Sequence, residues 1–106
     1  MKRGEIWTLR DKQYASKSRP VIVIQSDAQS GFDSVILCLF TTYNSENIST
    51  RVLIKANNDN GLVKDSYVMT DKIVTVDKNM LGEFVGYLSE EDMKAVSNQL
   101  RIILGL

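Results

Sequence analysis

Arg19 stands directly before the chain's one proline, Pro20, in the stretch SKSRPVIVIQSD (16–27), where a basic segment meets an apolar run. The chain contains no histidine and one cysteine, Cys38. The usual zinc sites and Ser-His or Cys-His nucleophile pairs are therefore excluded. The GxGxxG and GxxxxGK[ST] motifs are absent, so we expect no metal and no cofactor. Arginine, lysine, hydroxyl and carboxylate groups remain for chemistry.

That set of groups suits the binding of a phosphate. An arginine fork matches two phosphate oxygens, and a threonine hydroxyl can hold a third. RNA carries its own nucleophile, the 2′-hydroxyl, so an enzyme can cleave RNA without metal by orienting that group and stabilising charge. The residues alone leave plain phosphate binding as the alternative.

The formal net charge of zero conceals an asymmetry. Residues 1–20 hold six cations and two anions, whereas 21–76 hold four and six, and 77–106 hold three and five. A basic N-terminal fifth predicts a local site for phosphates, with a solvated basic loop as the alternative. Without a net positive charge, tight non-specific nucleic-acid binding is not expected.

The length of 106 residues predicts one domain, 1–106. One cysteine excludes an internal disulfide, and no apolar stretch follows Met1 as a signal segment, so we expect a reducing cytoplasm. The apolar run VILCLF (35–40) is too short to span a membrane. Cys38 lies within that run, which favours a buried structural thiol over a nucleophile.

The apolar pattern predicts a series of short strands separated by turn residues. We expect strands at 4–9, 20–27, 34–42, 50–55 and 84–88, and one or two short strands at 66–77 with a tight break near Thr70-Asp71. Pro20 cannot donate to a sheet ladder and marks a strand start or an edge. Residues 34–42 are apolar on both faces, which predicts a central strand. NNDNG (57–61) is a turn cluster.

The C-terminal segment predicts a helix. Ser89 can cap it, Asp92 completes a capping box, and Met93, Val96, Leu100 and Ile103 follow helical spacing up to Gly105. Five to seven short strands without βαβ units, followed by a helix, predict a mostly β protein with a compact antiparallel sheet or small barrel.

Several blocks in order carry a resemblance to a known family. They are RGEIW (3–7), RPVIVI (19–24), the apolar strand ending in Thr41, DKIVTVDK (71–78) and YLSEEDMKAVSNQLRIILGL (87–106). The chain resembles the MazF/PemK family of toxin endoribonucleases. That resemblance implies a small SH3-like twisted β-barrel, a homodimer, and metal-independent cleavage of single-stranded RNA to a 2′,3′-cyclic phosphate and a 5′-hydroxyl. It also implies a cognate antitoxin protein as partner and no association with a membrane.

The resemblance also implies roles for residues of this chain. Arg19 and Thr41 fall at the family's catalytic arginine and threonine. Arg19 would contact the scissile phosphate, and because arginine is very basic, charge stabilisation is favoured over proton transfer. The RNA-binding candidates are Lys12, Lys17, Thr42, Tyr43, Asp71 and Lys72. Tyr43 either stacks on a base or packs on the barrel, and Asp71 either reads a base, supports Arg19 or caps the break in its strand.

The loop RDKQYASKSRP (10–20) has no counterpart to the glutamate of the family's first loop. One alternative is a non-enzymatic CcdB-like gyrase poison, but such proteins act through a C-terminal tail bearing a tryptophan. The only tryptophan here is Trp7 and the chain ends in LGL, which disfavours that alternative. An inactive SH3-like binding module is the third possibility.

Overall fold

The computed structural model describes residues 1–10 and 19–106, so the candidates Lys12 and Lys17 lie outside the described residues. Six strands and one α-helix occupy the described part of the chain. They are β1 (Glu5–Leu9), β2 (Arg19–Val23), β3 (Ser34–Thr41), β4 (Val52–Ile54), β5 (Ser66–Asp77), β6 (Leu81–Tyr87) and α1 (Glu90–Leu104), with short 3-10 turns at Asp27–Gln29 and Lys78–Met80. The expected mostly β class with a C-terminal helix is confirmed.

The strands form one antiparallel sheet in the order β4-β5-β3-β2-β1-β6. The prediction that 34–42 forms a central strand is confirmed, since β3 lies inside the sheet between β5 and β2. Alternate residues of β3 enter two apolar clusters: Cys38 and Phe40 join the one that includes residues of α1, and Leu37 joins the other. A strand that packs on both faces carries a continuous apolar run, as residues 35–40 do here.

In the described residues, no ladder joins β4 to β6, but the predicted turn at 57–61 reaches across to β6. The amide of Tyr87 donates to the carbonyl oxygen of Asp59 at 3.0 Å. A Cβ at Gly86 would lie 2.3 Å from that same oxygen, so glycine permits the close approach. Gly61 has a φ of 66°, and a Cβ there would lie 2.3 Å from the carbonyl oxygen of Val85. A loop rather than a strand ladder therefore bridges this side of the sheet.

Helix α1 begins and ends as the sequence predicts. The Ser89 hydroxyl accepts from the Asp92 amide at 3.0 Å, and Gly105, at a φ of 72°, ends the helix. Val96 and Leu100 are buried, whereas Ile103, which continues the same helical spacing, is 41% exposed. The last turn of the helix extends past the packed face. No helix in the described ranges is long and apolar enough to cross a membrane.

Some predicted strand limits are wrong by several residues. β2 begins at Arg19 and stops at Val23, because Ser26 accepts from the Ala28 amide and starts a 3-10 turn. Pro20 is the second residue of this interior strand rather than the first residue or an edge position. β4 is shorter than 50–55, and β6 begins at 81 rather than at 84.

Candidate functional site

The pairing of β2 with β3 places Arg19 near Thr41. The antiparallel register aligns Val21 with Leu39. Continued by two residues, the same register puts Arg19 across from Thr41, at the last residue of β3. The strand framework thus brings together two candidates that lie 22 positions apart in the sequence.

Both residues line one open cleft of about 330 Å³. Its lining residues in the described part of the chain are Arg19, Pro20, Phe40, Thr41, Thr42, Tyr43 and Ser66. Arg19 is exposed, and none of the described carboxylates forms an ion pair with it. The structure therefore gathers an exposed guanidinium, two threonine hydroxyls and an aromatic ring around one opening.

Tyr43 projects into solvent. Its side chain is 83% exposed, so the alternative that it packs on the barrel is wrong. An exposed aromatic ring beside a cationic group is the arrangement with which proteins stack on unpaired bases.

The Thr41 hydroxyl is oriented by the backbone that follows it. Its oxygen accepts from the amide of Tyr43 at 3.2 Å. A hydroxyl has one hydrogen and two acceptor sites, so this contact leaves the O–H free to donate outward. The Thr41 hydroxyl can therefore donate to a phosphate oxygen in the cleft.

The predicted break near Thr70-Asp71 is a bulge within one continuous strand. Leu39 aligns with Met69, but the neighbouring Cys38 aligns with Ile73, so residues 70–72 are extra on the β5 side. Thr70 turns inward, is fully buried and donates to the carbonyl oxygen of Thr50. Bulges of this kind redirect side chains at functional edges.

Asp71 projects from this bulge toward Arg51 rather than toward Arg19. Arg51 Nε and Nη2 donate to Asp71 Oδ1 and Oδ2, each at 3.0 Å. The hydrogen bonds from Arg51 hold the pKa of the Asp71 carboxyl below its usual value, against an opposing effect of burial. The same pairing raises the pKa of Arg51. Lys72 Nζ lies 3.8 Å from Asp71 Oδ2, and the Lys72 side chain is 55% exposed.

The candidates thus divide into two groups. Arg19, Thr41, Thr42 and Tyr43 share the cleft, whereas Asp71 and Lys72 are not among its described lining residues.

Sequence reasoning missed Arg51 and Ser45. Ser45 is 1% exposed within a polar loop, where its burial has no hydrophobic pattern to signal it.

Cys38 is the buried structural thiol that its sequence context predicts. It is fully buried, and burial, with a smaller effect of the Asp71 charge, raises the pKa of the thiol to about 12. A thiol with such a pKa is not a nucleophile near neutral pH.

The fold and the cleft define a small antiparallel β protein with an arginine–threonine site suited to phosphate. A family model described as "PemK-like, MazF-like toxin of type II toxin-antitoxin system" matches residues 2–104. The chain belongs to this PemK-like, MazF-like toxin family.

Individual relatives match this chain over its whole length. "Probable endoribonuclease MazF" of Mycolicibacterium smegmatis is 36% identical, with 100% of this chain and 98% of the relative covered. "Endoribonuclease MazF" of Staphylococcus saprophyticus is 35% identical, with 100% and 92% covered. A solved structure, "Endoribonuclease in complex with its cognate antitoxin from Mycobacterial species", superposes with a TM-score of 0.85 at 26% identity, covering 100% of this chain and 96% of that one.

Proposed function

We propose that this chain is a sequence-preferring endoribonuclease, the toxin of a type II toxin–antitoxin system, and that it cleaves single-stranded RNA in the Arg19–Thr41 cleft. One observation carries the proposal. Arg19 and Thr41 line the same cleft in a chain that is 36% identical over its full length to a probable endoribonuclease MazF. The gyrase-poison and inactive-module alternatives are not favoured by relatives that bear the name endoribonuclease.

The proposed reaction is an in-line attack within the RNA. The 2′-oxygen bonds to the adjacent phosphorus, the bond from phosphorus to the 5′-oxygen breaks, and the products are a 2′,3′-cyclic phosphate and a 5′-hydroxyl. One proton leaves the 2′-hydroxyl and one reaches the 5′-oxygen. The RNA supplies the nucleophile, so the protein needs to bind, orient and stabilise charge.

Arg19 and Thr41 perform these tasks in the proposal. The Arg19 guanidinium donates a fork of hydrogen bonds to the non-bridging phosphate oxygens, on which negative charge grows as the phosphorane forms. The outward O–H of Thr41 donates to a further oxygen. The high basicity of arginine makes charge stabilisation, not proton transfer, the role of Arg19.

The RNA extends from this point over neighbouring side chains. Tyr43 stacks on an unpaired base, and Thr42 contacts the nucleotide beside it. Lys72, together with Lys12 and Lys17, attracts the RNA backbone. Asp71 does not contact a base in this proposal, because Arg51 binds both of its carboxylate oxygens.

The proposal includes two protein partners. A cognate antitoxin inhibits the toxin by laying an acidic segment along the cleft, where it competes with RNA and meets the basic N-terminal fifth of the chain. The toxin is a homodimer, and it works without metal or cofactor in the cytoplasm.

Light scattering tests the dimer. We expect twice the chain mass of 12.0 kDa, and a concentration-independent monomer would contradict the dimer.

The decisive experiment incubates the purified protein with a long unstructured RNA in the presence of a chelator. We expect discrete fragments that end in a 2′,3′-cyclic phosphate and begin with a 5′-hydroxyl, and the fragment ends give the recognition sequence. Arg19→Ala should lower the cleavage rate about 100-fold or more, the usual size of a lost oxyanion contact.

A matched control removes an arginine elsewhere on the surface. Arg101 lies in α1, where it donates to Asn98 at 3.1 Å, and Arg101→Ala should cut RNA at the wild-type rate. Intact RNA with the wild-type protein, or equal cleavage by Arg19→Ala, would contradict the proposal.

A further inference from the structure

Arg51 occupies the centre of a hydrogen-bonded chain that ends at the cleft. Two of its nitrogens bind Asp71, and the third, Nη1, donates to Ser45 Oγ at 3.2 Å. Ser45 Oγ donates in turn to the carbonyl oxygen of Tyr43 at 3.1 Å. The amide of Tyr43 donates to the Thr41 hydroxyl. The guanidinium is thus linked to the Thr41 hydroxyl through two intermediate residues.

Burial decreases along this chain from Ser45 to Asp71. The Arg51 and Asp71 side chains are 16% and 29% exposed, and Ser45 is 1% exposed. A forked arginine–carboxylate pair is stronger and more directional than a single contact. Because the fork to Asp71 fixes the direction of the guanidinium, Arg51 can hold the buried hydroxyl of Ser45 in place.

The loop between β3 and β4 is fastened to β5 at two further points. The Tyr67 hydroxyl donates to Asn44 Oδ1 at 3.2 Å, and Thr70 donates to the Thr50 carbonyl. The bulge at 70–72 aims Asp71 at Arg51 within the same stretch of β5. Three side chains of β5 thus hold the conformation of this loop without lining the cleft: Tyr67, Thr70 and Asp71.

We propose that Arg51 and Asp71 are positioning residues for RNA cleavage: the ion pair holds Ser45, which fixes the Tyr43 backbone and so aims the Thr41 hydroxyl at the scissile phosphate. This inference rests on the proposed function of the cleft. It gives Asp71 a role through Arg51 rather than a direct contact with a base. Misplacing a catalytic group by about an ångström lowers the rate without preventing binding.

Single-turnover kinetics test this role. Arg51→Ala and Asp71→Asn should each lower the maximal cleavage rate about tenfold or more, while the RNA concentration for half-maximal rate changes less than about threefold. Arg51→Lys keeps the charge but not the fork, so it should fall between wild type and Arg51→Ala. Arg101→Ala is the matched control and should leave both parameters unchanged.

A double-mutant cycle shows whether Arg51 acts through Thr41. In a Thr41→Ala background, adding Arg51→Ala should change the rate by less than about twofold, because the group being aimed is already absent. A further fall of about tenfold in that background would overturn the inference, as would a wild-type rate for Arg51→Ala alone.

An activity-independent measurement separates this inference from the proposed function. Amide hydrogen exchange at Tyr43 should be faster in Arg51→Ala than in wild type and unchanged in Arg101→Ala. If the wild-type protein does not cut RNA, the proposed function fails while faster exchange at Tyr43 still supports the positioning network. Unchanged exchange at Tyr43 in Arg51→Ala would overturn the network itself.

Discussion

Arg19 and Thr41 lie on neighbouring antiparallel strands and line one cleft, although 21 residues separate them in the chain. Arg19→Lys keeps the charge but cannot bind two phosphate oxygens with a fixed fork. We expect its cleavage rate to fall between those of wild type and Arg19→Ala. Arg19 is exposed, so the free energy of unfolding should change by less than about 0.5 kcal/mol for either variant. Cleavage kinetics and thermal melts measure the two effects; unfolding of Arg19→Ala would point to a structural role instead.

The Thr41 hydroxyl, rather than the side-chain volume, should determine activity. Thr41→Ser keeps the O–H and should retain a rate within about tenfold of wild type, whereas Thr41→Val keeps the shape and should lose about 100-fold. The comparison uses the same RNA under single-turnover conditions. Equal rates for the two variants would mean that the hydroxyl does not touch the reacting phosphate.

Local signals allowed much of this fold to be predicted from the sequence. The Ser89 cap and the Gly105 stop are set by neighbouring backbone atoms, and both lie where the sequence predicts them. The apolar faces of β3 likewise predicted its central place. Ile103 shows the limit of periodicity, because helical spacing does not reveal where the packing partner of a helix ends.

The candidate site was only partly predictable. Arg19 and Thr41 were found through the resemblance of whole blocks, and the register of β2 with β3 then places them together. Arg51 could not be found in this way, because its contacts with Asp71 depend on a bulge 20 residues away. Long-range contacts of polar side chains leave no periodic trace in a single sequence.

Gly86 should be intolerant of a side chain. An alanine Cβ there would lie 2.3 Å from the Asp59 carbonyl oxygen and 2.5 Å from backbone atoms of Asn60, so backbone has to move. We expect Gly86→Ala to lower the free energy of unfolding by about 1–3 kcal/mol, as overpacking does. Gly31→Ala is the matched control, because nothing lies within 4 Å of the position that its methyl group would take. Denaturant titrations compare the two; equal stabilities would show that the 57–61 turn is not held against β6.

Cys38 should resist alkylation in the folded protein. Its thiol is fully buried with a pKa raised to about 12, so almost no thiolate exists near neutral pH. We expect negligible labelling by iodoacetamide under native conditions and complete labelling in concentrated guanidinium. Mass spectrometry counts the adducts, and rapid native labelling would contradict the burial of β3.

Stability should depend on pH through Asp71. Arg51 lowers the pKa of this carboxyl in the folded protein below its value of about 3.9 in the unfolded chain, so the native state binds fewer protons. The contribution is therefore complete above the unfolded pKa and is lost as pH falls through the folded pKa. We expect Asp71→Asn to be less stable than wild type by up to about 1 kcal/mol near pH 6, since the pair is partly exposed. That difference should shrink as the pH falls below about 4. Denaturant titrations of both proteins across this range provide the measurement, and a difference that stays constant down to the most acid pH would show that Asp71 does not stabilise the fold through its charge.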